Sequence, residues 1–121
     1  MKKANELWEQ KRPIEKQIEK RCIAYLKRTL KNREGNRLDF YDEDGEPYGN
    51  QYLCVTYDGG RHPEYASNAF SSVNGVFLKE NHIYLDTEDD DEYSITNINL
   101  NELFDIANYV YQILIPTLKK G

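Results

Sequence analysis

Residues 73–98 read VNGVFLKENHIYLDTEDDDEYSITNI. Apolar and polar residues alternate here in three short runs: Val73–Lys79, Ile83–Thr87 and Glu92–Ile98. Period two is the mark of a strand with one buried face. The links are short, Glu80-Asn81-His82 and the acidic Glu88–Asp91. Links of that length pair neighbouring strands antiparallel, because a parallel crossover needs a dozen or more residues. Two further runs lie upstream, Leu38–Tyr41 and Gln51–Tyr57. Between them Asp42–Asn50 holds Asp44-Gly45, Pro47 and Gly49, the residues of turns. Alternation assigns Leu53, Val55, Val76, Leu78, Ile83, Leu85, Tyr93 and Ile95 to one face.

The flanks change period. Residues 5–32 read as a helix, with Ile14, Ile18, Cys22, Tyr25, Leu26 and Thr29 recurring at three and four to form the expected buried stripe. Pro13 costs an interior hydrogen bond, so it is expected at a kink or a true first turn. The expectation is a short helical arm over 1–12, carrying Leu7 and Trp8, then the main helix over 13–32. A second helix is predicted over 100–115, with Asn99 and Glu102 spaced as a capping box and Pro116 as its stop. Its apolar residues span roughly 200° of the wheel, twice what one buried stripe needs. It is therefore expected to touch the sheet and also the first helix or a second subunit. Together these elements predict an α+β fold: one domain over 1–121, with an antiparallel sheet of about five strands within 37–98 and two helices on one face.

Length and composition agree. The chain has 121 residues, 39% hydrophobic and 31% charged, the balance of a globular domain. No run is apolar and long enough to span a bilayer, and charges recur up to Arg21 where a signal peptide would be apolar. Cys22 and Cys54 lack metal or redox spacing and read as reduced thiols, so the expected location is the cytoplasm. Net charge is −5, which excludes a uniformly basic nucleic-acid binder. The charge is nonetheless divided: residues 1–37 carry +7 and the remainder −12.

Four patterns bear on chemistry. Counted from Asp42, the sixth and twelfth positions of a calcium loop hold Pro47 and Leu53, and counted from Asp86 they hold Asp91 and Asn97. Both runs fail the glycine and glutamate requirements, and the His and Cys spacing does not suit zinc, so neither a metal nor another cofactor is expected. Residues 58–72 show no clear period, and that stretch gathers Asp58, Arg61, His62, Glu64, Tyr65 and Ser67. These are materials for acid–base catalysis, and equally for any polar loop; no nucleophile-elbow, zincin or P-loop motif accompanies them. Lys16, Lys20, Lys27 and Lys31 form one row on the first helix. A lysine row can track phosphates, or can simply be a solvated face. Finally, alternation sends Tyr41, Tyr52, Cys54, Phe77 and Tyr84 to the face away from the helices. Ten tyrosines in this chain make that face a candidate contact surface, since Tyr combines contact area with a polar tip.

The functional expectation is a non-catalytic, cytoplasmic accessory or regulatory protein acting through protein–protein contact. Tyr41, Tyr52, Phe77 and Tyr84, with the Arg61, His62 and Tyr65 loop, are its expected partner-binding residues. One alternative is nucleic-acid association through Lys16, Lys20, Lys27 and Lys31, and a second is a small enzyme built on the loop 58–72. A homodimer is a further expectation, with the basic helix of one subunit against acidic loops of another.

Overall fold

Helix α1 (Lys2–Lys31) is one element, helical on both sides of Pro13 rather than an arm followed by a helix. The computed structural model describes residues 2–56, 70–88 and 93–120, with the backbone alone at 2–12, 70, 97 and 120. After α1 come β1 (Arg37–Asp39), β2 (Cys54–Thr56), β3 (Phe70–Lys79), β4 (His82–Thr87) and β5 (Tyr93–Ser94). Then follow α2 (Leu100–Tyr109), one wide π turn (Val110–Leu114) and α3 (Ile115–Lys120).

All described strand pairs are antiparallel, and β3 is the hub. One edge of β3 pairs with β4, through a hairpin whose turn residues Glu80 and Asn81 both have positive φ, 53° and 65°. Such a two-residue turn matches the twist of its strands. The other edge is divided between β1, against Phe77–Gly75, and β2, against Ser72–Phe70. The handover falls at a bulge between Val73 and Gly75. There the Asn74 carbonyl accepts from the Phe40 N–H at 2.9 Å, and the Val73 N–H donates to the Leu53 carbonyl at 2.8 Å. Two three-residue strands can share an edge only because β3 is ten residues long. Three residues of the aperiodic stretch 58–72 thus belong to β3, while the expected fifth strand keeps only Tyr93–Ser94 before a 3₁₀ turn at Ile95–Asn97.

The core forms on one face of this sheet. Leu38, Val76, Leu85 and Tyr93 face one another across four strands and are all buried. Val55, Ile83 and Ile95 join them, as predicted, whereas Leu53 and Leu78 lie half-buried at the margin. Helix α1 contributes Cys22, Leu26 and Leu30. The expected stripe is therefore displaced: Leu30 is fully buried, while Ile14 and Ile18 are 63% and 36% exposed. The sheet lies under only the last third of α1, so a helical period continues past the surface able to cover it.

Asn99 caps α2 as predicted: its Oδ1 accepts from the Glu102 N–H at 2.8 Å and Glu102 Oε1 accepts from the Asn99 N–H. The same Glu102 carboxylate accepts from the Thr56 N–H at 2.6 Å and so ties α2 to β2. The expected stop at Pro116 is overturned, because helix continues to Lys120. A proline mid-helix lacks an N–H and crowds the carbonyl four residues back. The π turn supplies the room, with the Ile115 N–H donating to the Val110 carbonyl, five residues back. That turn also packs on the segment between β1 and β2. Ile113 fills the space over Gly49, where a Cβ would lie 2.4 Å from Ile113 Cγ2. Tyr109, fully buried, donates to the Tyr48 carbonyl at 3.0 Å, and its ring lies 4.9 Å from Phe40.

Candidate functional site

The outer face of the sheet is built from the residues one step along from the core row. Arg37, Phe77, Tyr84 and Ser94 are register partners across β1, β3, β4 and β5. Phe77 and Tyr84 are half-buried and stack on each other, with centroids 5.6 Å apart and planes 24° apart. The Arg37 guanidinium stands 5.8 Å from the Phe77 centroid, a cation–π contact. Its Nε donates to Asp39 Oδ1 at 2.6 Å and its Nη2 to Asp86 Oδ2. Partial burial works against the charge on Arg37. The carboxylates of Asp86 and Asp39 more than offset that, so its pKa lies above the ordinary value.

Gly75 makes this bridge from β1 to β4 sterically open. It is the register partner of both Asp39 and Asp86. A Cβ at Gly75 would lie 2.6 Å from the Leu38 carbonyl oxygen and 3.4 Å from Arg37 Nη2. The absence of a side chain lets β1 approach closely and lets Arg37 cross β3 to reach Asp86.

A second aromatic pair lies toward the β2 end. Tyr41 and Tyr52 have centroids 6.1 Å apart. Tyr52 is 65% exposed, whereas Tyr41 is half-buried and packs on the core margin, which moves it partly off the outer face where alternation had put it. Alternation fails there because β1 ends at Asp39 and Tyr41 already belongs to the turn, bridged to Pro47. Burial pushes the Tyr41 phenol up, and the neighbouring Tyr52, Cys54 and Glu88 add to that. Cys54 is exposed beside this pair on the outer side of β2.

Other candidates separate from this face. Lys16, Lys20 and Lys31 are exposed on α1 and Lys27 is half-buried, so the lysine row faces mostly water. Arg61, His62 and Tyr65 lie outside the described residues, as does most of the loop 58–72. His82 is exposed at the start of β4. The Asp42 carboxylate is committed to its own turn, accepting from the N–H groups of Asp44 and Glu46 at 2.9 and 3.0 Å. Among the described residues no group of three or more His, Cys, Asp or Glu is placed to hold a metal ion. No described helix is long and apolar enough to cross a membrane.

Sequence reasoning had the aromatics of this face but missed Arg37 as their centre. The signal was present in the alternation that puts Arg37 and Asp39 on the same side of β1. What the spacing lacked was the register that brings Asp86 to them. The fold these elements define is of the α+β class. Comparison with known proteins found no matching family model, no matching curated protein and no matching solved structure.

Proposed function

We propose that the protein is a non-catalytic cytoplasmic protein that acts through protein–protein contact, in an accessory or regulatory role, using the outer face of its sheet. The observation that carries this reading is the pairing of aromatics on that face. Phe77 stacks on Tyr84 beside the Arg37–Asp86 bridge, and Tyr41 pairs with the exposed Tyr52 toward the β2 end, while Cys22, Leu26 and Leu30 of α1 and Leu103, Ile106 and Ala107 of α2 are buried in the core on the opposite face. Rings fixed by neighbours lose little freedom on binding, and Tyr and Arg are the residues that dominate contact energies. The charges at the centre are already paired, which suits a contact surface. A reaction centre needs groups left over to move protons.

The test is capture from native lysate with wild-type protein and with a Tyr52→Asp/Tyr84→Thr variant whose circular dichroism matches wild type. A protein recovered by the first and lost by the second supports the reading. Identical recovery by both sinks it. An eluate containing only nucleic acid, lost when Lys20 and Lys27 are changed to Glu, moves the function to the lysine row instead.

A further inference from the structure

The two aromatic pairs of the outer sheet face differ in one respect. Phe77 and Tyr84 have a cation: the Arg37 guanidinium stands over Phe77 and is tied to Asp39 and Asp86. Among the described residues no cation stands over Tyr41 or Tyr52. A carboxylate is nonetheless in place beside them. Cys54 and Ser72 are register partners, and the Glu88 N–H donates to the Ser72 carbonyl at 3.3 Å. Cys54, Ser72 and Glu88 thus form a row across β2, β3 and the end of β4. Tyr52 precedes Cys54 by two residues and shares its side of the chain, and Tyr52, Cys54 and Glu88 are all exposed. Glu88 is also among the groups that act on the Tyr41 phenol. This end of the face is negative. From Leu38 to Thr56 the chain carries Asp39, Asp42, Glu43, Asp44 and Glu46 and no Lys or Arg. Arg37 is already paired, and Lys79 lies at the far hairpin end of β3, opposite His82. Arg33 shares a hollow with Asp39, Asp42 and Glu43 and is outnumbered there.

We propose, resting on the reading of this face as a contact surface, that Tyr41, Tyr52 and Glu88 seat an arginine side chain from a basic segment of a partner protein. The guanidinium lies against the tyrosine rings and pairs with Glu88, as Arg37 lies over Phe77 and pairs with Asp86. Two attractions select this occupant, and they agree. The face of an aromatic ring attracts a cation, and planar Arg both stacks on rings and pairs with carboxylates. The surrounding carboxylates favour a basic partner and repel a polyanion such as nucleic acid. A second copy of the chain fits less well. Its basic row lies on α1, which packs on the inner face, so α1 of one copy on the outer face of another is a head-to-tail contact. Such a contact builds rings or open chains instead of a closed two-fold pair.

Fluorescence anisotropy of a short labelled peptide of alternating Arg and Ser, titrated with the full chain, tests this. Wild type is expected to bind it, less tightly as salt is raised. Tyr52→Leu keeps apolar area but removes the ring, and is expected to weaken binding about fivefold, whereas Tyr52→Phe keeps the ring and binds as wild type. Glu88→Gln is expected to weaken binding by a similar factor. Glu80→Gln removes the same charge at the far hairpin turn and is expected to leave binding unchanged. Tyr52, Glu80 and Glu88 are exposed, so all four variants should melt as wild type does. Absence of peptide binding by wild type at about 1 mM protein overturns the proposal. So does binding that Tyr52→Leu and Glu88→Gln leave untouched, or sedimentation showing self-association that Tyr52→Leu abolishes, which would make a second copy the occupant. Should the peptide fail while Tyr52→Asp/Tyr84→Thr still abolishes capture from lysate, the arginine seat falls and the functional reading of the face stands.

Discussion

The two faces of the sheet differ by a single step along each strand. The inner row Leu38–Val76–Leu85–Tyr93 and the outer row Arg37–Phe77–Tyr84–Ser94 share backbones and hydrogen bonds. The inner row is closed by two helices, and its members are exposed by 9% or less. Among the described residues the outer row is closed by its own pairing, ring on ring and guanidinium on carboxylate. Burial makes the inner row carry stability, since each apolar group removed leaves a cavity. The outer row is held in place by ring stacking and by partly exposed ion pairs, which contribute less than burial does.

That contrast can be broken deliberately, beginning inside. Leu85→Ala is expected to cost about 2–5 kcal/mol in urea unfolding, the range for a leucine that leaves a cavity. Gly75→Ala strikes between the faces: the new Cβ meets the backbone of β1, and the expected loss is about 1–3 kcal/mol. A loss as small as that of an exposed substitution would mean that β1 does not approach β3 as closely as described.

Tyr109→Phe sharpens the inner side of the contrast. It removes the donor to the Tyr48 carbonyl, for an expected loss of about 1 kcal/mol. It also changes the response to alkali. Burial pushes the Tyr109 phenol from 10.0 up to about 12, with Tyr41 and Tyr48 adding to it. A raised acid favours the folded state while protonated. Its contribution is thus complete below pH 10 and lost as pH rises toward 12. Wild type should lose stability across that window more steeply than Tyr109→Phe, in urea titrations at each pH. Parallel profiles would show that Tyr109 is not the source.

The outer row should respond least. Tyr84→Ala is expected to cost about 1 kcal/mol, from loss of the stacked partner of Phe77. Arg37→Gln is expected to cost less than about 1 kcal/mol, with the difference shrinking as salt is added, because the bridge to Asp39 and Asp86 is partly exposed. An Arg37→Gln effect as large as that of Leu85→Ala would abolish the distinction between the faces.

Much of this architecture was legible in residue spacing. Period two located all five strands and assigned Val76, Ile83 and Leu85 inward and Phe77 and Tyr84 outward, because each strand's alternation is local. The Asn99–Glu102 capping box was legible for the same reason: donor and acceptor lie three residues apart. The candidate face was legible as a set of aromatics, but not as a set of pairs. Stacking of Phe77 on Tyr84 needs the β3–β4 register, and the Arg37 bridge needs three strands together.

The sequence by itself determined the periods, the turns and the charge division, all written within a few residues of one another. Only the tertiary structure decided where each period stops being used. Ile14 and Ile18 repeat the spacing of Cys22 and Leu26, yet no described strand covers them. Pro116 carries a local signal to stop, yet packing of Ile113 on Gly49 and the wide turn before it carry the helix on to Lys120. Spacing states what a segment is able to bury. Whether it is buried depends on a second surface contributed from elsewhere in the chain, and that is a property of the folded whole.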